Sequence, residues 1–440
     1  MGTLLRGGRI VTMNDRRDVF IGDIRIEKNR IAAVGEKLKA HADDDEVDAS
    51  GNLIIPGFIQ VHTHLCQALF RGFADDLSLL DWLKERIWPM ESGHDPVSLA
   101  ASARLGLLEM QLLGTTTILD MGTVRFTEKI FEEADASGIR YVGGKCLMDY
   151  KKASGPLYEP TAMALAETED LIKRWTGRSE LIEYAICPRF AISCSDTLLK
   201  ACARLRAKYD LILHTHASES LEEVAAVKQR TGLNNIDYLA FLGLLGAKTV
   251  IAHGIHLSAS ELKKMVASQT SLAHCPSSNL KLASGIAPIE KYRHAGLKIG
   301  LGSDGAPCNN LMDPFMEMRL AALLQKPRFG PEAMPAETAL FLATRGGAQV
   351  LGKENLLGSL EEGKLADLVV VDTSHPSVAT VENPYSALVY SCSGRDVKHV
   401  MTNGRWTIRD RQHWKWRAGD VIASAIRERK KLFSRIGLSS

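Results

Sequence analysis

The stretch PGFIQVHTH, residues 56–64, joins a Pro-Gly break to a short apolar run that ends in two histidines. The run has the length of a buried strand, and the side chains of His62 and His64 share one face because strand residues alternate. Beyond it, short β-branched runs alternate with longer segments of helical apolar spacing. We expect eight strands, at residues 58–62, 115–120, 141–146, 183–187, 211–216, 249–253, 271–274 and 298–304.

Eight strands joined by helical crossovers predict an α/β fold, a (β/α)8 TIM barrel over residues 57–358. A doubly wound open sheet is the structural alternative, because alternation alone does not establish closure. The flanking residues 1–56 and 359–419 are rich in short strands, and we expect them to build one small β-sandwich domain together. Residues 420–440 have a basic, helical pattern that predicts a C-terminal helix.

The composition excludes several classes of protein. The chain has 440 residues, with 54 Lys and Arg against 52 Asp and Glu, so it has no strongly basic surface for nucleic acid. No segment approaches the ~18 consecutive apolar residues that a membrane helix needs. The N-terminus lacks a secretory pattern, and the eight cysteines form no C-x-x-C pair. We therefore expect buried thiols and a cytoplasmic protein.

Polar residues that can bind a metal follow four of the predicted strands. They are the His62 and His64 pair, the segment HTHASE at residues 214–219, His253 and Asp304. Each alone has an ordinary explanation as a hydrogen-bonded strand end, but four at one end of one barrel predict a metal site. Three histidines and one aspartate leave a position open for water, and a bound divalent ion lowers the pKa of that water toward ~7. Asp304 as base, Glu219 as proton carrier and His253 as hydrogen-bonding group would complete a hydrolytic site.

These motifs resemble those of the amidohydrolase superfamily over nearly the full length of the chain. In the mononuclear branch, the resemblance places metal ligands at His62, His64, His216 and Asp304, and catalytic roles at Glu219, His253 and Asp304. It implies one divalent metal ion per chain, with Zn²⁺ expected and Fe²⁺ or Mn²⁺ as alternatives. The motifs that carry it are PGFIQVHTH (56–64), HTHASE (214–219), AHG (252–254), GLGSDG (300–305) and GSLEEGKLADLVVVD (358–372).

One set of substrate motifs resembles guanine deaminases. The segment CPRFAISCS at residues 187–195 is similar to their PRF and SCS stretch, and Gln67 matches their purine-edge glutamine. By that resemblance, Gln67 and Arg189 hydrogen-bond the base and Phe190 packs on its ring. The planar donor fork of Arg189 suits an oxo group beside an acceptor nitrogen, and it would oppose an adenine amine.

Another set resembles S-adenosylhomocysteine and methylthioadenosine deaminases. The stretches LFRGFADDLSLLDWL (69–83), WPME (88–91) and HCPSSNLKLASGIAPI (274–289) carry this likeness. It implies that Glu91 binds ribose hydroxyls and that Trp82 lies near the pocket. Arg189 replaces the histidine that those enzymes carry near the fourth strand. The s-triazine hydrolases share the scaffold as well.

The sequence thus predicts a metal-dependent hydrolase of carbon–nitrogen bonds in cyclic amidines, which deaminates a purine-like heterocycle and releases ammonia. Guanine is the first expected substrate. The alternatives are S-adenosylhomocysteine or methylthioadenosine, a triazine, and, more remotely, a catalytically inactive scaffold. We expect a small heterocyclic substrate as partner, neither nucleic acid nor membrane, and a homodimer or higher homo-oligomer.

Overall fold

A computed structural model describes residues 2–438. Residue 1 of the predicted β domain and residues 439–440 of the predicted C-terminal helix lie outside this range. The chain begins with five strands, β1 (Thr3–Val11), β2 (Val19–Glu27), β3 (Arg30–Gly35), β4 (Asp45–Asp48) and β5 (Asn52–Pro56). The following strands are β6 (Phe58–Thr63), β7 (Thr115–Asp120), β8 (Arg140–Gly143), β9 (Cys146–Leu147), β10 (Ile182–Pro188), β11 (Ile212–Ala217), β12 (Thr249–His253), β13 (Ser271–His274) and β14 (Ile299–Leu301). Four more close the list: β15 (Leu368–Asp372), β16 (Val397–Thr402), β17 (Arg405–Arg409) and β18 (Gln412–His413).

The first five and last four strands form one mixed sheet. Its order is β18-β17-β16-β15-β5-β1-β2-β3, and β4 pairs with β1. The two parts of the chain meet where β5 runs antiparallel to β15, with Ile54 opposite Val370. Buried aliphatic side chains on one face of this sheet form a core of their own, which includes Ile10 and Ile24. The N- and C-terminal segments therefore build one unit, because neither alone would cover its apolar face.

The remaining strands form a parallel sheet in the order β6-β7-β8-β10-β11-β12-β13-β14, with β9 beside β10. A parallel bridge between Thr63 and Asp304 joins the two edges. Small and branched side chains such as Val61, Ala252 and Ala273 fill the interior. The predicted α/β fold class, a barrel with a second β unit from both termini, is confirmed.

Helices connect most of the strands, and the last helix follows the final strand. They are α1 (Leu79–Asp81), α2 (Trp88–Ser92), α3 (Pro96–Leu112), α4 (Glu128–Ser137), α5 (Lys151–Ser154), α6 (Thr161–Trp175), α7 (Asp196–Tyr209), α8 (Leu221–Thr231), α9 (Asn235–Phe241), α10 (Ala259–Ala267), α11 (Pro276–Lys281), α12 (Ile289–His294), α13 (Ala306–Asn309), α14 (Pro314–Phe329), α15 (Ala336–Phe341), α16 (Gly347–Val350), α17 (Pro384–Ser386) and α18 (Ala418–Arg435). Within residues 2–438, no helix combines the length and apolar character that crossing a membrane requires.

The third predicted strand is interrupted. It was expected to run through residues 141–146, but β8 ends at Gly143 and β9 begins at Cys146. A Cβ atom on Gly144 would lie 1.9 Å from the carbonyl oxygen of Ala185, and the backbone N–H of Lys145 donates to the hydroxyl of Tyr184. Close approach to the neighbouring strand therefore replaces the regular ladder at this point.

Helix α18 ends against the segment that follows the first barrel strand. The ring of Phe433 lies 4.6 Å from the ring of Phe73, measured between centroids, and Arg435 Nε donates to the carbonyl of Gly93. Leu432 and Phe433 belong to the same buried cluster as Leu79 and Trp82. The predicted C-terminal helix therefore supports residues 70–98.

Replacing Phe433 with alanine should lower the free energy of unfolding by ~3–5 kcal/mol, because a fully buried aromatic ring leaves a cavity. Phe433 is 1% exposed. Urea titration followed by tryptophan fluorescence measures the change. Ile426→Ala on the outer face of the same helix, where Ile426 is 54% exposed, is the matched control and should change stability little. Equal stability of the Phe433 variant and the parent would contradict this packing.

Candidate active site and metal centre

The four predicted metal ligands meet at the carboxyl ends of the barrel strands. His64 Nε2 lies 3.2 Å from His216 Nε2, and Asp304 Oδ1 lies 3.3 Å from His62 Nε2 and 3.5 Å from His64 Nε2. All four side chains are buried. The ligand atoms of His62, His64 and His216 all lie within 4.8 Å of one another. The same holds for those of His62, His253 and Asp304. The sequence therefore identified a real cluster of side chains that could hold a metal ion.

A chain of hydrogen bonds fixes the tautomer of His62. His214 Nδ1 lies 3.2 Å from the carbonyl oxygen of Val250, which can only accept, so Nδ1 carries the proton and Nε2 is an acceptor. His62 Nδ1 lies 2.7 Å from that acceptor and therefore donates to it. The lone pair of His62 is left on Nε2, which is buried and has no hydrogen-bond partner within the described residues.

His216 is oriented in the same way. Its Nδ1 lies 2.7 Å from the carbonyl oxygen of Arg189, so it donates there and directs the Nε2 lone pair into the cluster. His64 Nε2 lies 3.2 Å from this nitrogen; with its proton on Nδ1, His64 would present a second lone pair there, and a divalent ion would satisfy both lone pairs. The donor set of this cluster therefore fits a borderline metal such as zinc.

The electrostatics of the cluster agree with that fit. Burial lowers the pKa of His62, His64 and His216, which keeps the imidazoles neutral. The carboxylate of Asp304 accepts the backbone N–H of Gly305 at 2.7 Å and the hydroxyl of Ser278 at 2.6 Å, and these two hydrogen bonds favour its ionised form. Neutral imidazoles and an ionised carboxylate are the protonation states that a metal ligand needs.

The backbone is strained where three site residues leave their strands. Ser218, His253 and Asp304 have φ angles of +55°, +71° and +62°. Non-glycine residues in this left-handed region cost ~1–3 kcal/mol each, and they concentrate at functional sites. The strain turns the chain sharply at the rim, so that side chains after the last strand residue still face the pocket.

Glu219 and His253 lie beside the cluster. Glu219 Oε2 is 3.5 Å from His253 Nε2, and the other ring nitrogen, Nδ1, lies 2.9 Å from Asn279 Oδ1. Burial and the charge of Asp304 raise the pKa of Glu219 well above its usual range. A carboxyl group that holds its proton near neutral pH can act as a general acid.

Glu223, which sequence reasoning missed, lies directly behind Glu219. Its Oε2 accepts the backbone N–H of Glu219 at 2.8 Å, and its Oε1 accepts Asn235 Nδ2 at 2.5 Å. Burial raises the pKa of Glu223 to about 8. The signal in the sequence is the spacing Ser220-x-x-Glu223, which is typical of a capping box at the start of a helix.

Two other residues support the cluster: His214, which the sequence placed in the HTHASE motif without a role of its own, and Asp120, which the sequence analysis did not name. His214 lies one layer below the rim and sets the tautomer of His62. Asp120, at the end of the second barrel strand, accepts the backbone N–H of Leu65 at 2.8 Å and the hydroxyl of Thr63 at 3.2 Å. Burial raises the pKa of Asp120 to about 6. Both residues hold the segment that carries His62 and His64.

A small pocket opens above the cluster. Polar groups form the part of the lining at the cluster, and leucine and tryptophan side chains form an apolar part, termed the outer wall. The predicted substrate residues Gln67, Trp82, Arg189 and Phe190 all reach the wall. The full lining is His64, Gln67, Leu79, Trp82, Leu83, Arg189, Phe190, His216, Glu219, His253, Leu282 and Asp304.

Glu91 does not line this pocket; it lies behind Gln67 and Arg189. Arg189 Nη1 and Nη2 donate to the two carboxylate oxygens of Glu91 at 2.6 Å and 3.1 Å, and Gln67 Nε2 donates to Oε1 at 2.8 Å. The residues that suggested two different substrates in the sequence are thus members of one buried ion pair. Because Nε2 of Gln67 is turned to Glu91, its Oε1 remains a buried acceptor without a partner in the described chain.

Comparison with known proteins agrees with the motifs. The sequence profile described as the amidohydrolase family matches residues 53–407. A 5-methylthioadenosine/S-adenosylhomocysteine deaminase of Bacillus cereus is 37% identical over 412 residues, which cover 92% of this chain and 93% of that protein. The zinc-bound crystal structure of an adenosine deaminase from Xanthomonas campestris has a TM-score of 0.91 and 29% identity, and covers 98% of both chains. An E. coli guanine deaminase has a TM-score of 0.85 and 27% identity, covering 93% of this chain and all of that one.

Removing one member of the buried ion pair should be far more harmful than removing both. Glu91→Leu leaves the Arg189 charge uncompensated, which typically costs ~3–5 kcal/mol, whereas the double variant with Arg189→Met removes both charges and should recover much of the loss. Both side chains are at most 4% exposed. The free energies of unfolding of the parent, both single variants and the double variant form the cycle that measures the coupling. Additive effects of the two substitutions would contradict the pairing.

Proposed function

The chain belongs to the amidohydrolase family and is a hydrolase of carbon–nitrogen bonds in cyclic amidines, and from that premise we propose that it deaminates adenine nucleosides of the methylthioadenosine type. The observation that carries this proposal is the two-part pocket. Its inner wall is polar, and Leu79, Trp82, Leu83 and Leu282 form an apolar outer wall. A nucleoside with an apolar 5′ substituent would fill both parts, whereas a bare base would fill only the inner one.

The polar wall is compatible with an adenine ring. When C6 faces Glu219 and Asp304, the amine is at the reacting end, and the far edge of the ring presents the acceptor nitrogen N3. The N–H groups of Arg189 match that acceptor, so this arginine does not oppose adenine. Ribose hydroxyls supply the donor that the buried Oε1 of Gln67 lacks. The names of the 37% identical relatives support the same assignment.

Guanine is the second candidate, and one observation favours it. Arg189 offers donors and Gln67 Oε1 an acceptor on the same wall, and the lactam edge of guanine offers the complementary acceptor and donor. This matches the guanine-type residues Gln67, Arg189 and Phe190 in the sequence. Under this alternative the apolar outer wall has no ligand group to contact.

For the metal, we propose that His62, His64, His216 and Asp304 hold one divalent ion, with zinc first. Such an ion supplies a Lewis acid that activates water at neutral pH. Asp304 Oδ2 accepts the hydroxyl of Ser278 at 2.6 Å, which leaves Oδ1 toward the histidines. The zinc-bound structure of a 29% identical neighbour supports this choice of metal.

The chain's own residues would move the protons. Water adds to C6 of the ring, and the carboxyl group of Glu219 gives its proton to the adjacent ring nitrogen. Asp304 takes a proton from the attacking water and passes it to the amine, so that the C6–N6 bond breaks and ammonia leaves. The hydroxyl on C6 then returns a proton to Glu219 and becomes the oxo group of the product. His253 donates through Nδ1 to Asn279 Oδ1, so its Nε2 lone pair would accept a hydrogen bond from the attacking water and orient it. The buried pocket excludes bulk water from these transfers.

The metal proposal predicts about one divalent ion per chain and loss of activity by orders of magnitude in Asp304→Asn, because a ligand and a base are lost together. Elemental analysis and ammonia release measure the two effects. Asp410→Asn is the matched control, since this side chain is 70% exposed and remote in sequence from the site motifs. A fully active, metal-free preparation would disprove the proposed metal role.

The substrate proposal predicts that methylthioadenosine exceeds guanine by at least ~10²-fold in kcat/KM, since sites that hydrogen-bond a substrate group reject analogues that lack it. A panel of methylthioadenosine, S-adenosylhomocysteine, adenosine, guanine and an aminotriazine, followed by ammonia release, tests this. Trp82→Ala should raise KM for the nucleosides and leave guanine turnover nearly unchanged, because Trp82 belongs to the outer wall. If guanine is the better substrate, the second candidate is correct.

A further inference from the structure

The position of Glu219 is not fixed by hydrogen bonds to its own carboxyl group. Within residues 2–438 its carboxyl group accepts no hydrogen bond, and His253 Nε2 lies 3.5 Å away. A proton-transferring group must nevertheless be held close to its target, because a misplacement of about 1 Å can cost ~10²-fold in rate. The backbone on either side of Glu219 must therefore supply the precision.

That backbone is held from two directions. Ser218 adopts a left-handed conformation, with a φ angle of +55°, and its carbonyl oxygen accepts the N–H of His256 at 3.0 Å. On the other side, the N–H of Glu219 donates to Glu223 Oε2 at 2.8 Å. Of these two hydrogen bonds, only the one to Glu223 involves a side chain.

Glu223 is itself firmly anchored. It is 1% exposed, its backbone N–H donates to Ser220 Oγ at 3.1 Å, and its Oε1 accepts Asn235 Nδ2. In an ordinary capping box the glutamate returns to the N–H of the capping residue. Here Ser220 is the capping residue of α8, and Glu223 reaches one residue further back, to Glu219. The start of the helix is thereby tied to the pocket.

We propose that Glu223 is a positioning residue that holds Glu219 in reach of the substrate. The inference rests on the role proposed for Glu219 above. A helix cap alone does not explain Glu223, because Ser220 already caps α8 and a second buried carboxylate beside Glu219 is unfavourable. The cost of burying it is consistent with a functional rather than a stabilising role.

The test compares E223A, E223Q and E223D with the parent in steady-state kinetics. E223A should lower kcat by ~10²-fold with KM and metal content unchanged, because substrate and metal contacts are untouched. E223Q should recover most of kcat, since its Oε1 can accept the N–H of Glu219, and a half-turn of the Asn235 amide brings the unpartnered Oδ1 to the new amide group in place of Nδ2. E223D keeps the carboxyl group but withdraws the acceptor from the N–H of Glu219, so it should lose activity as well.

Two further variants make the outcomes separable. E222A is the matched control, because Glu222 is exposed on the same turn of α8, and it should behave as the parent. E219Q should lose ~10²–10⁴-fold in kcat while retaining metal. If E219Q turns over normally, the role proposed for Glu219 fails. If E219Q is inactive but E223A retains the parental kcat, the positioning role of Glu223 is wrong. Where E223A does not fold, the same conclusion follows from parental kcat in E223D. Loss of metal in parallel with activity would also overturn the proposal.

Discussion

The site depends on the hydrogen bonds of its buried imidazoles, because the N–H group of each neutral ring needs an acceptor. His214 and His216 solve the problem with backbone carbonyls of neighbouring strands, those of Val250 and Arg189. His62 depends in turn on His214. The lone pairs that remain all converge on one point, so the hydrogen-bonded register of the barrel strands determines where a metal can bind. Closure of the barrel at Thr63 and Asp304 brings the carboxylate to the same point.

Much of this arrangement could be predicted from the sequence. Strand alternation places His62 and His64 on one face, and the position of Asp304 after an apolar run places it at the same rim. The supporting residues could not be recognised in the same way. His214 has the same i, i+2 relation to His216 as His62 has to His64, and only the vertical stagger between strands shows that it lies one layer lower and acts on another histidine.

The ion pair of Glu91 and Arg189 was beyond sequence reasoning for a different reason. The two residues are 98 positions apart, and each resembles a different group of enzymes. A resemblance treats residues one by one, so it presented them as competing substrate contacts. In the folded chain one neutralises the other, because neither charge could be buried alone. The shortened third strand has a similar origin, since only the approach of Ala185 to Gly144 forbids a regular ladder.

The contact between Phe73 and Phe433 joins residues from opposite ends of the chain. During synthesis, the segment that carries Leu79 and Trp82 emerges early, and the helix that supports it emerges late. Closing such a distant contact is slow, because the entropy of a long loop must be overcome first. The barrel rim can therefore form before its outer pocket wall is fixed. A nascent chain would then possess the histidine cluster before it possesses a finished binding pocket, and the cluster could meet an ion before the molecule could select a substrate.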